Sequence, residues 1–157
     1  MRRFLILFPV FLIFGFGVLQ TTSVTTALDV FTQWLAGLSG IVIHVFGGRT
    51  IVHGATLESP TGVSITVKNG CNAINVMILL WSAILPYPAT RRQKLNGLVV
   101  GSVVLHAVNI LRIISLYYLV QYNRAWFEFA HLYLWESLIV LDTLVIFWLW
   151  AASARSQ

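Results

Sequence analysis

The stretch that decides the fold is LNGLVVGSVVLHAVNILRIISLYYLVQ, residues 95–121. It is longer than the roughly 20 apolar residues that a helix needs to cross the hydrocarbon core of a bilayer. It nevertheless carries Ser102, His106, Asn109 and Arg112, which at about 100° per residue fall along one side of a helix. A charge that faces lipid at this depth costs several kcal/mol. The polar side of this span must therefore face protein.

The composition of the whole chain also indicates that lipid is its solvent. Of the 157 residues, 58% are hydrophobic and only 10% are charged. Such a chain cannot cover itself with a polar surface, which indicates an integral membrane protein. The formal net charge of +5 comes from short basic clusters at the ends of apolar segments. That pattern is typical of membrane topology, so we expect the lipid bilayer, and no nucleic acid, as a partner.

Three more segments are apolar enough to cross a bilayer, at residues 4–20, 72–87 and 132–152. The first could be a signal peptide, but no small-residue cleavage site follows it, so we interpret it as a membrane anchor. Residues 28–46 also have helical spacing, interrupted by Asp29, Gln33 and glycines. A crossing there would put the basic loop 91–94 outside, against the positive-inside rule. We interpret this segment as an amphipathic helix at the interface.

The region between the first two spans contains a strand signal. Residues 50–52 and 63–67 have strand character and flank the turn sequence of residues 59–62, Ser-Pro-Thr-Gly, which predicts a β-hairpin. The predicted fold is an all-α integral membrane protein. It consists of a bundle of about four transmembrane helices, an interfacial amphipathic helix and a small extracytoplasmic β-hairpin within the insert 21–70. Residues 1–157 form a single membrane domain in this prediction.

Basic residues set the predicted orientation. Arg2, Arg3, the loop 88–94 and the tail with Arg155 share one side, which the positive-inside rule makes cytoplasmic. Both termini are then cytoplasmic, and residues 21–70 and 122–131 lie on the outer face.

Cys71 is the only cysteine, and it lies where a polar loop meets the apolar residues 72–87. It can form neither an internal disulfide nor a cysteine metal cluster. It is therefore either a nucleophile or a small packing residue. His44, His53 and His106 have no metal-binding spacing, so the sequence predicts no metal site and no cofactor.

Depth counting brings several polar side chains to one layer. Counted from the cytoplasmic ends of their spans, Cys71 and Glu136 lie about 24 Å up, Arg112 about 25 Å and His131 about 31 Å. Matching depths also suggest two pairs, Arg112 with Glu136 and His106 with Asp142.

This set of residues suits acyl transfer. A nearby cation raises the reactive fraction of a thiol. The planar guanidinium of Arg112 can hold a thiolate or an oxyanion, and His131 can carry a proton to a leaving amine. Two structural alternatives remain open: Arg112 could simply pair with an acid, and His131 could belong to an interfacial aromatic belt.

Three motifs carry a family resemblance. They are Asn69-Gly70-Cys71-Asn72-Ala73 at the head of a helix, Asn109-Ile110-Leu111-Arg112 near the end of the next, and His131 at the start of the last. Over about residues 48–150 the chain resembles the exosortase/archaeosortase family, and its short length is most similar to the exosortase H subtype. The family's best-known form has a small residue and glycine directly after the cysteine, where this chain has Asn72 and Ala73.

The resemblance implies a membrane-embedded cysteine protease or transpeptidase with Cys71, Arg112 and His131 as catalytic residues. Its partners would be proteins with a C-terminal sorting tail, made of a short motif, one membrane span and a basic end. Cleavage would occur at the outer face of the bacterial cytoplasmic membrane through a thioester at Cys71. Water, a surface glycan or another acceptor would then release the product.

The neighbours of this set have weaker predictions. Asn109, Asn72 and Glu136 are candidate supporting residues, whereas Asn69 fits a helix cap and Lys68 a solvated loop residue. Two other functions stay open: a small membrane transport or lipid-binding subunit, and a non-catalytic scaffold of an envelope or secretion complex. Substitution of Cys71 by alanine distinguishes them, because only processing of a tailed substrate requires the thiol.

Overall fold

The computed structural model describes residues 2–155, apart from the side chain of Arg2. Met1 and residues 156–157, at the ends of the predicted single domain, lie outside the described residues, as does the Arg2 side chain on which the predicted orientation draws. The helices are α1 (Arg2–Leu19), α2 (Thr22–Val45), α3 (Ile74–Ile84), α4 (Arg91–Tyr122), α5 (Arg124–Phe129) and α6 (Trp135–Arg155). The strands are β1 (Ile51–His53), β2 (Thr56–Glu58) and β3 (Ser64–Thr66). A π-helical turn, Ala130–Leu134, joins α5 to α6.

The predicted class, a mostly helical bundle with a small sheet, is confirmed. Within residues 2–155, three helices are long and apolar enough to cross a membrane: α2, α4 and the continuous helix 124–155 that runs through the π turn. The helices α1 and α3 are apolar but shorter. The predicted segments 4–20 and 72–87 are thus helices, but α3 alone covers only part of a bilayer's thickness.

The segment 28–46 differs from its prediction. It belongs to α2, which begins at Thr22 and has the length and hydropathy of a membrane span. The predicted start was six residues too late because residues 22–26, Thr-Ser-Val-Thr-Thr, give no apolar signal. The polar side chain of Asp29 bonds to the amide of Asn69 at 2.9 Å, within the protein.

α2 runs in the same direction as α4, as two contacts along its length show. The ring of Phe31 lies 5.2 Å from that of His106. Just beyond the other end of α2, the Tyr117 hydroxyl donates to the Arg49 carbonyl at 2.7 Å. Since α1 also runs parallel to α4, α2 continues the direction of α1 and adds no reversal. The later helices keep the alternating directions that the sequence predicted.

Close contacts define the other directions. α1 is antiparallel to α3, α3 is antiparallel to α4, and α4 is antiparallel to α6. The contacts are Phe4 with Tyr87 and Gly15 with Ile78, then Trp81 with Ser102 and Lys94 with Leu85, then Gly97 with Trp150 and Arg112 with Glu136. One end of the bundle, called here the Arg91 end, therefore holds Tyr87, Arg91 and Trp150. The opposite end, called the Cys71 end, holds Cys71, Arg112 and Glu136.

The predicted two-stranded hairpin is wrong. The three strands form an antiparallel sheet in the order β1-β2-β3, so residues 50–52 and 63–67 do not pair with each other. The missed strand, β2, follows a two-residue turn in which Gly54 has a φ of +60°, a conformation that suits glycine. The predicted turn at residues 59–62 does form, and Ser59 donates its N–H to the Val63 carbonyl at 2.8 Å.

Local sequence explains why α4 begins where it does. Pro86 and Pro88 lie in the short loop after α3, because proline cannot continue a helix. Thr90 then caps α4: its hydroxyl accepts from the Gln93 N–H at 3.3 Å, while the Gln93 side chain accepts from the Thr90 N–H at 2.9 Å. The prolines that end α3 and the cap that begins α4 together keep the loop between these helices short.

Candidate active site

The loop that presents Cys71 has an unusual backbone. Gly70 has a φ of +98°, and Ala73, directly before α3, has a φ of +62°. A left-handed conformation costs an L-residue about 1–2 kcal/mol, and such strain often occurs at functional sites. The Cys71 N–H donates to the Lys68 carbonyl at 2.9 Å. This tight turn holds the half-buried thiol at the start of the helix.

A polar cluster fixes this loop to α2. The Asn72 amide donates to the Thr32 hydroxyl at 3.0 Å and to the Asn69 side-chain oxygen at 3.3 Å. The Asn69 amide donates in turn to Asp29. Asn72 is 1% exposed, and its side-chain oxygen accepts from the Ile74 N–H at 3.3 Å. Asn72 therefore supports the loop from behind, and its amide is directed to α2.

Arg112 contacts both the thiol and an acid. Its Nη2 lies 3.9 Å from the Cys71 Sγ and 3.6 Å from Glu136 Oε2. The predicted contact between Arg112 and Glu136 is therefore present. The arginine side chain is 2% exposed, but that of Glu136 is 71% exposed. The carboxylate thus has few protein neighbours, whereas the guanidinium is buried beside the thiol.

His131 lies in the π-helical turn, a feature that occurs frequently at functional sites. Its ring stacks on Phe127, with centroids 5.7 Å apart and planes 15° apart. The pair is separated by four residues, a spacing at which helical side chains meet. The stack fixes the imidazole, and its Nδ1 is buried without a hydrogen-bond partner among the described residues.

Buried polar atoms without partners concentrate near this site. Within residues 2–155 they are His106 Nδ1, Asn109 Nδ2 and Oδ1, Arg112 Nε and His131 Nδ1. Asn109 is fully buried, at 0% exposure. Leaving such an atom unbonded costs about 1–3 kcal/mol. Their concentration on one helix and the facing turn indicates groups that a ligand or water would satisfy.

The predicted pair of His106 with Asp142 is wrong. Residues 2–155 contain ion pairs only between Arg112 and Glu136 and between Arg124 and Glu128. His106 packs edge-on against Phe31 of α2, whereas Asp142 belongs to α6. Depth counting placed the two side chains at a similar height but could not determine which neighbour each helix face meets.

Cys71, Arg112 and His131 share one cleft of about 360 Å³ at the Cys71 end, whereas Asn72, Asn109 and Glu136 do not line it. Its wall comes from β3, the loop after it, α4, α5 and the π turn. The lining residues are Ser64, Ile65, Thr66, Val67, Lys68, Cys71, Arg112, Ile113, Leu116, Val120, Arg124, Phe127 and His131. The cleft thus brings the predicted Cys71, Arg112 and His131 together.

Sequence reasoning missed three contributors to the cleft: the edge of β3, Arg124 and Phe127. The four-residue spacing of Phe127 and His131 could have indicated their contact, had residues 124–131 been predicted as helix. Nothing in the sequence indicated that β3 would lie beside the thiol, because that depends on packing of the sheet on α4.

The fold and the cleft define a class: a polytopic, mostly helical membrane protein with a cysteine, an arginine and a histidine at one end of its bundle. The family model described as transmembrane exosortase matches residues 2–149. The chain therefore belongs to the transmembrane exosortase family, as its motifs suggested. No curated protein and no solved structure matches it.

Proposed function

We propose that this exosortase is a cysteine peptidase or transpeptidase that acts on proteins with a C-terminal sorting tail. The single observation that carries the proposal is the 3.9 Å contact between Arg112 Nη2 and the Cys71 Sγ. The family match supports the same class of activity. A fixed guanidinium beside a half-buried thiol favours the thiolate, which is the nucleophilic form.

The proposed reaction begins with attack of the Cys71 sulfur on the scissile carbonyl carbon. The carbonyl oxygen gains negative charge, which Arg112 stabilises. The carbon–nitrogen bond then breaks, and His131 donates a proton to the leaving amine. Water or an acceptor with an amine or hydroxyl group attacks the thioester, releases the product and returns the proton to the site.

The distribution of basic residues supports an orientation for the site. Arg91 and Arg92 are exposed at the end of the bundle opposite Cys71. By the positive-inside rule that end is cytoplasmic, and the cleft then opens at the outer face of the bacterial cytoplasmic membrane. A membrane span of the substrate would lie in the bilayer while its scissile bond reaches the thiol.

The proposal is tested with a reporter protein that carries a tail of short motif, apolar span and basic end, taken from a gene that neighbours this one. We expect Cys71→Ala and Cys71→Ser to abolish processing while the variant proteins still insert into the membrane. Normal processing by either variant would remove Cys71 as the nucleophile, and would favour a transport, lipid-binding or scaffold role.

A second measurement tests the orientation. A thiol reagent that does not cross membranes should label Cys71 in intact cells, with Cys71→Ala as the control for labelling elsewhere. Labelling only after lysis would reverse the proposed orientation. Mass spectrometry of a trapped adduct between Cys71 and the reporter would identify the thioester directly.

A further inference from the structure

The edge of β3 borders the cleft, and its backbone hydrogen-bonding groups are unused. β3 is the last strand in the order β1-β2-β3, so it pairs on one side only. Ser59 bonds to Val63, and Val67 bonds to Ala55 at 2.9 Å. In an antiparallel ladder, bonded and non-bonded pairs alternate, so Val63, Ile65 and Val67 direct their backbone groups to β2.

The residues between them direct their backbone groups the other way. The N–H and C=O groups of Ser64 and Thr66 point from the sheet to the free edge. None of the loop and turn hydrogen bonds among residues 2–155 uses them. Ser64 and Thr66 both line the cleft that holds Cys71. The cleft is therefore flanked by a strand edge able to pair with an extended peptide.

β3 runs alongside α4 in the opposite direction, and its C-terminal end, called here the lower end, points toward the thiol. At its upper end, the Ser59 hydroxyl bonds to the Gln121 side chain at 2.6 Å. Beyond its lower end, Cys71 meets Arg112. The part of the facing wall that α4 supplies runs from Arg112 to Val120 and rises about 12 Å. At about 3.3 Å per residue, that length fits roughly four residues of extended chain.

We infer that the substrate segment before the scissile bond binds as an added strand on β3, parallel to it, between the sheet edge and α4. This inference rests on the proposed function for its orientation. A tail has its membrane span after the scissile bond, so the residues before that bond must leave the thiol in the opposite direction, along β3. The apolar side chains of Ile113, Leu116 and Val120 form the wall against which alternate peptide side chains would pack.

Parallel pairing makes a specific hydrogen-bond prediction. The peptide residue opposite Ile65 donates its N–H to the Ser64 carbonyl, and its own carbonyl accepts from the Thr66 N–H. The residues before and after it direct their backbone groups away from β3. The N–H groups at those alternate positions make no bond to β3. A substrate proline, which has no backbone N–H, is therefore tolerated there.

The test uses covalent labelling of Cys71, so it needs no turnover. The probe is acetyl-tetraalanyl chloromethyl ketone, whose methylene carbon bonds to the Cys71 sulfur as chloride leaves. The rate at which the probe labels Cys71 is divided by the rate at which it reacts with free cysteine, which corrects for intrinsic reactivity. Chloroacetamide, which contains no peptide, is measured and corrected in the same way. We expect the tetrapeptide to label Cys71 at least tenfold faster than chloroacetamide after this correction.

Two perturbations then probe the backbone bonds. Single N-methylation along the tetrapeptide should slow labelling roughly threefold to tenfold at alternate positions, and little at the positions between. Thr66→Pro removes one outward N–H without breaking the ladder to β2, and should slow the peptide probe by a similar factor. Thr66→Val is the matched control, because it loses the same hydroxyl, which bonds to Thr56, but keeps the N–H.

The outcomes separate this inference from the proposed function. Equal rates for all N-methylated probes, no advantage of the peptide over chloroacetamide, or equal rates for Thr66→Pro and Thr66→Val would each overturn strand addition. The N-methyl series uses the unaltered protein, so misfolding of a proline variant cannot hide a negative result. If Cys71→Ala processes the reporter normally, the peptidase proposal is wrong, while the labelling data still decide whether an extended peptide binds to β3.

Discussion

The two ends of the helical bundle differ in whether their polar groups have hydrogen-bond partners. At the Arg91 end, hydrogen-bonding groups have close partners: the Trp150 Nε1 donates to the Gln93 carbonyl at 2.9 Å, and the Lys94 ammonium donates to the Leu85 carbonyl at 2.6 Å. Aromatic rings pack around them, and Tyr87 contacts Trp150 with centroids 5.3 Å apart. This end is built for stability.

The Cys71 end keeps polar atoms buried and unbonded. Asn109, Arg112 and His131 each have at least one such atom, and Arg112 and His131 also line the cleft. Buried polar groups are normally bonded because an unbonded group loses its hydration without compensation. The difference teaches that the two ends can be separated by mutation: substitutions at one end should change activity, and substitutions at the other should change the free energy of unfolding.

The largest effect is expected at Arg112. Arg112→Gln removes the charge beside the thiol and should lower the rate of reporter processing by about 100-fold to 1000-fold. Arg112→Lys keeps the charge but loses the planar fork, so we expect partial activity. The control is Glu136→Gln: because Glu136 is 71% exposed, its loss should reduce the rate only a few-fold. Equal losses at both positions would mean that the ion pair, rather than the guanidinium, matters.

The strongest test of the Arg91 end is Gly97→Val. A Cβ at Gly97 would overlap the indole ring of Trp150, so we expect the free energy of unfolding in detergent micelles to fall by about 1–3 kcal/mol. Gly17→Val is the matched control, since a Cβ there meets nothing within 4 Å. Cys71 labelling per folded molecule should stay the same. A loss of labelling without a loss of stability would contradict the division between the ends.

A smaller and opposite effect is expected at Asn109. Asn109→Leu replaces an unbonded buried amide with an apolar side chain of similar size, which should leave the free energy of unfolding unchanged or raise it. Processing should fall about tenfold, a loss of about 1.4 kcal/mol, if the amide bonds through a buried water to the neighbouring Arg112. Thr143→Val is the control, because Thr143 is also buried but donates to the Ile139 carbonyl at 2.8 Å. Lower stability of Asn109→Leu would show that the amide has a structural partner.

The smallest effect is expected at Ala73. Its φ of +62° is costly for alanine and free for glycine. Ala73→Gly relieves about 1–2 kcal/mol of strain but adds freedom to the unfolded chain, which costs about 0.4–1 kcal/mol. The free energy of unfolding should therefore rise by up to about 1.6 kcal/mol. The control is Ala83→Gly, inside α3, which should lower the free energy of unfolding by about 1 kcal/mol. If both substitutions lower the free energy of unfolding, Ala73 is not strained.

The helices were largely predictable from the sequence because their signals are local. Runs of apolar residues indicated α1, α3, α4 and α6, and the turn at residues 59–62 was found where it was expected. The short strand β2 was missed because three residues and a Gly-Ala turn give too weak a pattern. The first turns of α2 were missed because residues 22–26, Thr-Ser-Val-Thr-Thr, give no apolar signal. Asp29 was judged as an interruption because its hydrogen-bond partner, Asn69, lies far along the chain.

The predicted contacts between site residues had mixed outcomes. Depth along a helix follows from a constant rise per residue, so the layer shared by Cys71 and Arg112 could be counted. The side of a helix that meets a given neighbour follows from packing, which counting does not include. Depth alone therefore gave the correct contact of Arg112 with Glu136 and the wrong pair of His106 with Asp142.

The sequence by itself determined that this chain needs a lipid solvent, that one side of the span 95–121 must face protein, and that a lone thiol, Cys71, shares a layer with Arg112. These properties follow from composition and from the constant geometry of a helix. Only the tertiary structure decided that α2 continues the direction of α1, that Asn72 supports the loop from behind, and that the free edge of β3 borders the cleft. Such relations join residues far apart in the chain, and only the packing of whole elements brings them together.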